Sequence, residues 1–209
     1  MRVDFRVYLV TDRKQARDGD ILAAVAAALD GGIRAVQLRE KDLGGRELFR
    51  LAEAMRRLTA RYGARFVVND RVDVAYAVGA DGVHLGGGSI PVADARALLG
   101  ARALVGRSAH GVDELAAAER DGADFATFGP VYATPSKAAY GPPLGVPALA
   151  AACAAARIPV FALGGVGPGN MSETLRAGAF GIALISAVVA AADPRAAAQE
   201  LTARFAPGG

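Results

Sequence analysis

The sequence predicts an α/β fold, a (β/α)8 TIM barrel with residues 1–209 as one domain. Two observations carry this expectation. Apolar runs of strand length recur eight times, and Ala/Arg/Glu-rich stretches with helical spacing separate them. Eight is the number of parallel strands that closes a barrel. A doubly wound sheet is the alternative, but it usually has fewer strands. Here the first run leads into "TDRKQARDGD" rather than into the G-x-G-x-x-G expected of a dinucleotide fold.

In order, the strand runs are "VYLVT" from Val7, "AVQL" from Ala35, "FVVN" from Phe66 and "GVHL" from Gly82. They continue with "ALVG" from Ala103, "FATF" from Phe125, "VFAL" from Val160 and "GIALI" from Gly181. Between the second and third, Leu48, Leu51, Met55 and Leu58 fall on one helical face, and Gly63 ends that helix. "GVDELAAAERDGA" reads as a helix between the fifth and sixth. Pro91, Pro168 and Pro194 each stand at the entry of a later Ala-rich segment, where proline fits the first turn.

Composition narrows the function. Apolar residues make up 53% and charged residues 22%, as in ordinary globular proteins. Aromatic residues are 6% and Trp is absent, so the core should be built from Ala, Val and Leu. The net charge of +3 suits anionic small molecules, and no basic run with interleaved aromatics indicates nucleic acid. Cys153 is the single cysteine, which excludes an internal disulfide; its Ala-rich setting reads as a small buried hydrophobe. The beginning of the chain lacks a signal-peptide core, and the uncharged run 177–192 is shorter than the roughly 20 residues of a membrane span. The expected location is cytoplasmic, with no membrane partner. The apolar helix faces leave a homo-oligomer open.

In such a barrel, function lies at the C-terminal ends of the strands. "VQLREKD" ends the second strand, where alternation sends Val36 and Leu38 one way and Gln37 and Arg39 the other. Asp70, beside Asn69, stands where the third strand stops. It suits either Mg²⁺, a hard cation that takes oxygen ligands, or the cap of a helix starting near Val72. Arg39 and Lys41 on the same rim would hold a metal-bound diphosphate. Lys137, in the long loop "GPVYATPSKAAYGPP", could add a cation, with Thr134 and Ser136 as hydroxyl donors. "FALGGVGPGN" after the seventh strand, with a helix opening at Pro168, and Ser186 after the eighth match the usual barrel phosphate site. His84 alternates into the barrel, where packing is its first reading. His110 and Ser108 stand at the end of the fifth strand, His110 as a candidate proton carrier. Glu40 and Asp42 read as local salt-bridge formers.

"YLVTDR", "VQLREKD", "NDRVDVAYAVGADGVHLG", "GRSAH", "GADFATFGPVYATPSK", "PVFALGGV" and "GIALISAV" resemble, in order and spacing, the thiamin phosphate synthase family. The likeness runs from about Val7 to Pro194. It implies a transferase that joins 4-amino-2-methyl-5-pyrimidinylmethyl diphosphate to a thiazole ethyl phosphate, carboxylated or not, releasing diphosphate. By position, Gln37, Arg39, Lys41 and Asn69 would hold the pyrimidine diphosphate and Asp70 would bind Mg²⁺. Ser108 would contact the pyrimidine side, and Lys137 the diphosphate. Thr134, Ser136, Gly165, Ile185 and Ser186 would receive the thiazole phosphate. One position departs: where the family usually carries a second acidic metal ligand, "HLGGGSIP" has Ser89. A related thiazole tautomerase uses a histidine in a motif like "GRSxH", matched by His110. That reading, and a non-catalytic thiazole phosphate-binding paralogue, are the alternatives.

Overall fold

The computed structural model describes residues 3–134 and 142–205. The strands are β1 (Val7–Val10), β2 (Ala35–Leu38), β3 (Arg65–Asn69), β4 (Gly82–Leu85), β5 (Leu104–Ala109), β6 (Phe125–Phe128), β7 (Val160–Leu163) and β8 (Gly181–Leu184). All neighbouring pairs are parallel, and β8 returns to β1, so the sheet closes into a barrel in sequence order. The helices described are α1 (Ile21–Asp30), α2 (Gly45–Arg61), α3 (Val72–Ala77), α4 (Val92–Leu99), α5 (Val112–Arg120), α6 (Gly145–Ala155), α7 (Met171–Arg176), α8 (Ser186–Val189) and α9 (Pro194–Ala203).

Local chemistry explains most boundaries. The Asp20 carboxylate accepts from Ala23 N and opens α1; Asp193 does the same for α9, with Pro194 in its first turn. Leu48, Met55 and Leu58 bury one face of α2 as their spacing requires, and Gly63 follows in the left-handed region. β5 runs further than its apolar run, through Ser108 to Ala109, because ladder pairing with β6 continues there. Pro168 opens no helix. Residues 168–170 form turns and α7 begins only at Met171, because the Asn170 side chain accepts from Gly167 N and donates to Gly165 O.

The alternation in the strands sorts two cores. Outward residues such as Val36, Leu38, Phe66 and Val68 pack against the helices with Leu29, Met55 and Leu149. Inward residues form a second cluster from Phe5, Tyr8, Val10, Val67, Leu104, Phe125 and Phe161. The expectation of a core made only of Ala, Val and Leu fails at this point. Four aromatics, Phe5, Tyr8, Phe125 and Phe161, gather inside the barrel, where Phe5 meets Phe125 edge-on at 5.8 Å and stacks on Phe161 at 5.2 Å. Large rings fill a closed barrel that alanines would leave hollow. Gly106 makes room for them, since a Cβ there would run into Phe125 and His84. Above this apolar plug the interior turns polar.

Candidate active site

Directly above the aromatic plug lie Tyr8, Gln37, His84, Ser108 and Thr127, contributed by five strands. Gln37 Nε2 donates to Tyr8 Oη at 3.0 Å, which fixes the amide against the barrel wall. His84 Nε2 lies 3.1 Å from Ser108 Oγ and 3.3 Å from Thr127 Oγ1. Its Nδ1 has no hydrogen-bond partner among the described residues. Burial pushes the His84 imidazole down to about 3, and the charges of Arg107 and Arg39 act in the same direction against Asp70. Burial likewise raises the Tyr8 phenol. The floor of the site is therefore polar but uncharged.

The rim carries charge. Arg39, Lys41, Asn69, Asp70, Ser108 and His110 line one cavity over that floor. Arg39 and Lys41 make no ion pair among the described residues. Asp70 sits at φ 58°, a left-handed backbone that a non-glycine residue seldom adopts. Its Oδ2 accepts from Asn69 Nδ2 at 2.8 Å, and its Oδ1 from Gly86 N at 3.3 Å and from Ser89 Oγ. Burial alone would raise the Asp70 carboxyl, but these donors and the nearby Lys41 outweigh it and hold it below the usual range. Arg71 is the residue before α3 and no side chain caps that helix, so Asp70 does not serve as its cap. Arg107 Nη1 donates to Gly86 O at 2.6 Å and steadies the loop that carries Ser89.

A second cavity opens between β7 and β8, lined by Thr134, Gly164, Gly165, Val166, Ile185 and Ser186. Gly165 has φ 66°, and a Cβ there would press within 2.7 Å of Tyr132 Cβ and 2.8 Å of Ala133 O. Only glycine therefore fits at this position of the turn. Ser186 is the first residue of α8, just past β8. The two cavities share Gln15, Leu163, Gly164 and Ile185, so they meet along a common wall. Ser136 and Lys137 lie outside the described residues.

His110 lies at the edge of the first cavity, its Nδ1 2.5 Å from Gly129 O. A carbonyl only accepts, so Nδ1 is the donor in this contact. Four polar side chains of this lining had not been singled out from sequence for binding: Asp12, Gln15, His84 and Thr127. For His84 and Thr127 a signal existed, since each is a polar side chain on the inward phase of a strand. Gln15 is brought in only by the turn after β1, where it donates to Asp12 Oδ2 at 2.6 Å. Cys153 is half-buried on α6, and burial pushes its thiol up to about 11, which fits the inert reading.

Comparison with known proteins places this architecture. The family model for thiamine monophosphate synthase matches residues 7–188. The chain belongs to the thiamine monophosphate synthase family. A Geobacter sulfurreducens relative, itself only provisionally named a thiamine-phosphate synthase, is 59% identical over 206 residues, covering 99% of this chain and 97% of that one. A thiamine-phosphate synthase of Chloroflexus aurantiacus is 47% identical over 96% of this chain and 93% of its own. Among solved structures, a thiamine phosphate pyrophosphorylase from Pyrococcus furiosus superposes with a TM-score of 0.87 at 37% identity, covering 95% of this chain and 94% of that one. No helix among the described residues is long and apolar enough to cross a membrane.

Proposed function

We propose that this member of the thiamine monophosphate synthase family is a transferase of thiamin biosynthesis. It would join 4-amino-2-methyl-5-pyrimidinylmethyl diphosphate to a thiazole ethyl phosphate, giving thiamin phosphate and diphosphate. The observation that carries this reading is the pair of adjoining cavities, one with cations beside a carboxylate and one with a glycine turn. Two phosphorylated molecules held there would meet at the shared wall. The synthase names of its relatives agree with that arrangement.

In the first cavity the pyrimidine would rest on the uncharged floor, with Gln37 and Ser108 as hydrogen-bonding partners and Asn69 beside them. Arg39 and Lys41 would hold the diphosphate, joined by Lys137. Thr134, Ser136, Gly165, Ile185 and Ser186 would receive the thiazole phosphate. Breaking the C–O bond to diphosphate leaves an amino-stabilised pyrimidine-methyl cation, which the thiazole nitrogen captures. Such a step needs charge stabilised on the leaving group more than it needs a base. The neutral floor of Tyr8 and His84 adds no positive charge beside that cation.

Mg²⁺ fits the residues present. The Asp70 carboxylate would hold it, with the Ser89 hydroxyl, hydrogen-bonded to Asp70 Oδ1, as a further hard oxygen beside the cations. No group of three or more His, Cys, Asp or Glu side chains suited to a metal occurs among the described residues. Water and diphosphate oxygens would complete the shell, as Mg²⁺ accepts. When bound, Mg²⁺ would supply charge neutralisation for the departing diphosphate. The phosphorylated substrates do not cross membranes unaided, so we assign the reaction to the cytoplasm.

The tautomerase reading is not favoured. Its motif histidine, His110, lies in a cavity that also carries the cations and the carboxylate a diphosphate requires. The test is direct: purified protein with both phosphorylated substrates and Mg²⁺ should form thiamin phosphate. Turnover of the thiazole phosphate carboxylate tautomer without any thiamin phosphate would reverse the assignment.

A further inference from the structure

Between Arg39 and Lys41 sits Glu40, a charged residue of opposite sign that does not line the cavity. Its side chain is only 2% exposed. Both carboxylate oxygens are used inside the protein. Oε1 accepts from Thr11 Oγ1 at 2.7 Å and from Arg13 N at 3.0 Å; Oε2 accepts from Arg13 N at 3.1 Å and Arg13 Nη1 at 3.2 Å. The Thr11 hydroxyl, fully buried, accepts in turn from Arg39 N at 2.9 Å. A continuous chain of hydrogen bonds therefore runs from the β1 end, through Glu40, back to the backbone of Arg39.

The same contacts sort the cations. Arg13 is held by Glu40 and, through both terminal nitrogens, by Asp42, which also pairs with Lys14 at 2.8 Å. Arg13 and Lys14 are thereby engaged outside the cavity, while Arg39 and Lys41 line it and make no ion pair among the described residues. Buried polar contacts of this kind fix geometry, because breaking one leaves unsatisfied donors without water.

We infer that Glu40 is a positioning residue for diphosphate binding, acting through Thr11 and Arg13 on the aim of Arg39 and Lys41. The inference rests on the proposed synthase reading. Its probe is inorganic diphosphate with Mg²⁺, which reports on the cavity whether or not thiamin phosphate is made. Glu40→Gln keeps size but turns one acceptor oxygen into a donor facing other donors. Calorimetry should show diphosphate binding weakened by about 10- to 100-fold, the usual range for lost supporting contacts. The KM for thiazole phosphate, held between β7 and β8, should stay within about twofold, because that cavity touches none of these residues. Thr11→Val keeps the shape and removes only the relay, so it should show the same split with less amplitude even where Glu40→Gln folds poorly. Equal losses for both ligands, or unchanged diphosphate binding in Thr11→Val, would reduce Glu40 to a purely structural residue. Wild-type protein that binds diphosphate but makes no thiamin phosphate would overturn the synthase reading and leave Glu40's role standing.

Discussion

Ser89 and His110 are the residues at which this chain's chemistry is most open to test. The Ser89 hydroxyl meets the Asp70 carboxylate, and under the proposed function it stands where a second carboxylate would serve a metal. One carboxylate should leave Mg²⁺ affinity dependent on diphosphate. Ser89→Asp should lower the Mg²⁺ concentration for half-maximal thiamin phosphate formation by roughly tenfold, about 1.4 kcal/mol. It should also confer Mn²⁺ binding without substrate, readable by electron paramagnetic resonance. The gain is limited, because a second charge beside Asp70 costs repulsion while no metal is bound. No shift in either measurement would mean that Ser89 is not an impaired ligand position. For His110, a general base would lose on the order of 100-fold or more in rate on substitution. Ionisation requires little proton transfer, so single-turnover rates of His110→Asn should fall by less than about tenfold. A loss confined to turnover of a thiazole carboxylate would instead mark the histidine as a proton carrier.

At the scale of elements, the β7–α7 turn decides how the second cavity is shaped. Gly165 stands at φ 66° against Tyr132, so a methyl group there must both strain the backbone and push the β6–α6 segment aside. The strain alone is worth about 1 kcal/mol. Gly165→Ala should raise the KM for thiazole phosphate by about tenfold or more while diphosphate binding changes little. Equal effects in both cavities would show that the turn supports the whole rim. The glycines of "FALGGVGPGN" point to this turn from sequence, but the helix start does not follow from them. Pro168 resembles a first-turn proline; Asn170, bonding back to Gly165 and Gly167, delays α7 to Met171. Local propensity could not weigh a side-chain contact made across the turn.

For the whole molecule, the neutral floor links the site to stability. His84 is held near 3 against an ordinary value of 6.5, so the unfolded chain binds a proton at pH values where the native protein does not. The stability this contributes is fully present above pH 6.5 and is lost as the pH falls towards 3. Each pH unit in that window should cost about 1.4 kcal/mol from this group. Urea unfolding from pH 6.5 down to 4 should therefore show a shallower pH slope in His84→Gln than in wild type. Parallel slopes would show that His84 gains its proton as readily folded as unfolded.

The sequence alone determined the closed barrel, through eight apolar runs whose order and number admit few other arrangements, and it placed the rim residues at strand ends. Alternation in "VQLREKD" was enough to send Gln37 and Arg39 inward while Val36 and Leu38 met the helices, because side-chain direction in a strand has a period of two. What only the tertiary structure decided is how charges are paired. Glu40 read as a salt-bridge former from sequence, and it is one, but the bridge is buried and its partners lie 27 and 29 positions earlier in the chain. Asp70 suited a helix cap as well as a metal ligand by sequence; closure brings Gly86 and Ser89 onto its carboxylate, and it caps no helix. Spacing fixes which face a residue takes, but its partners come from strands that meet only when the barrel closes.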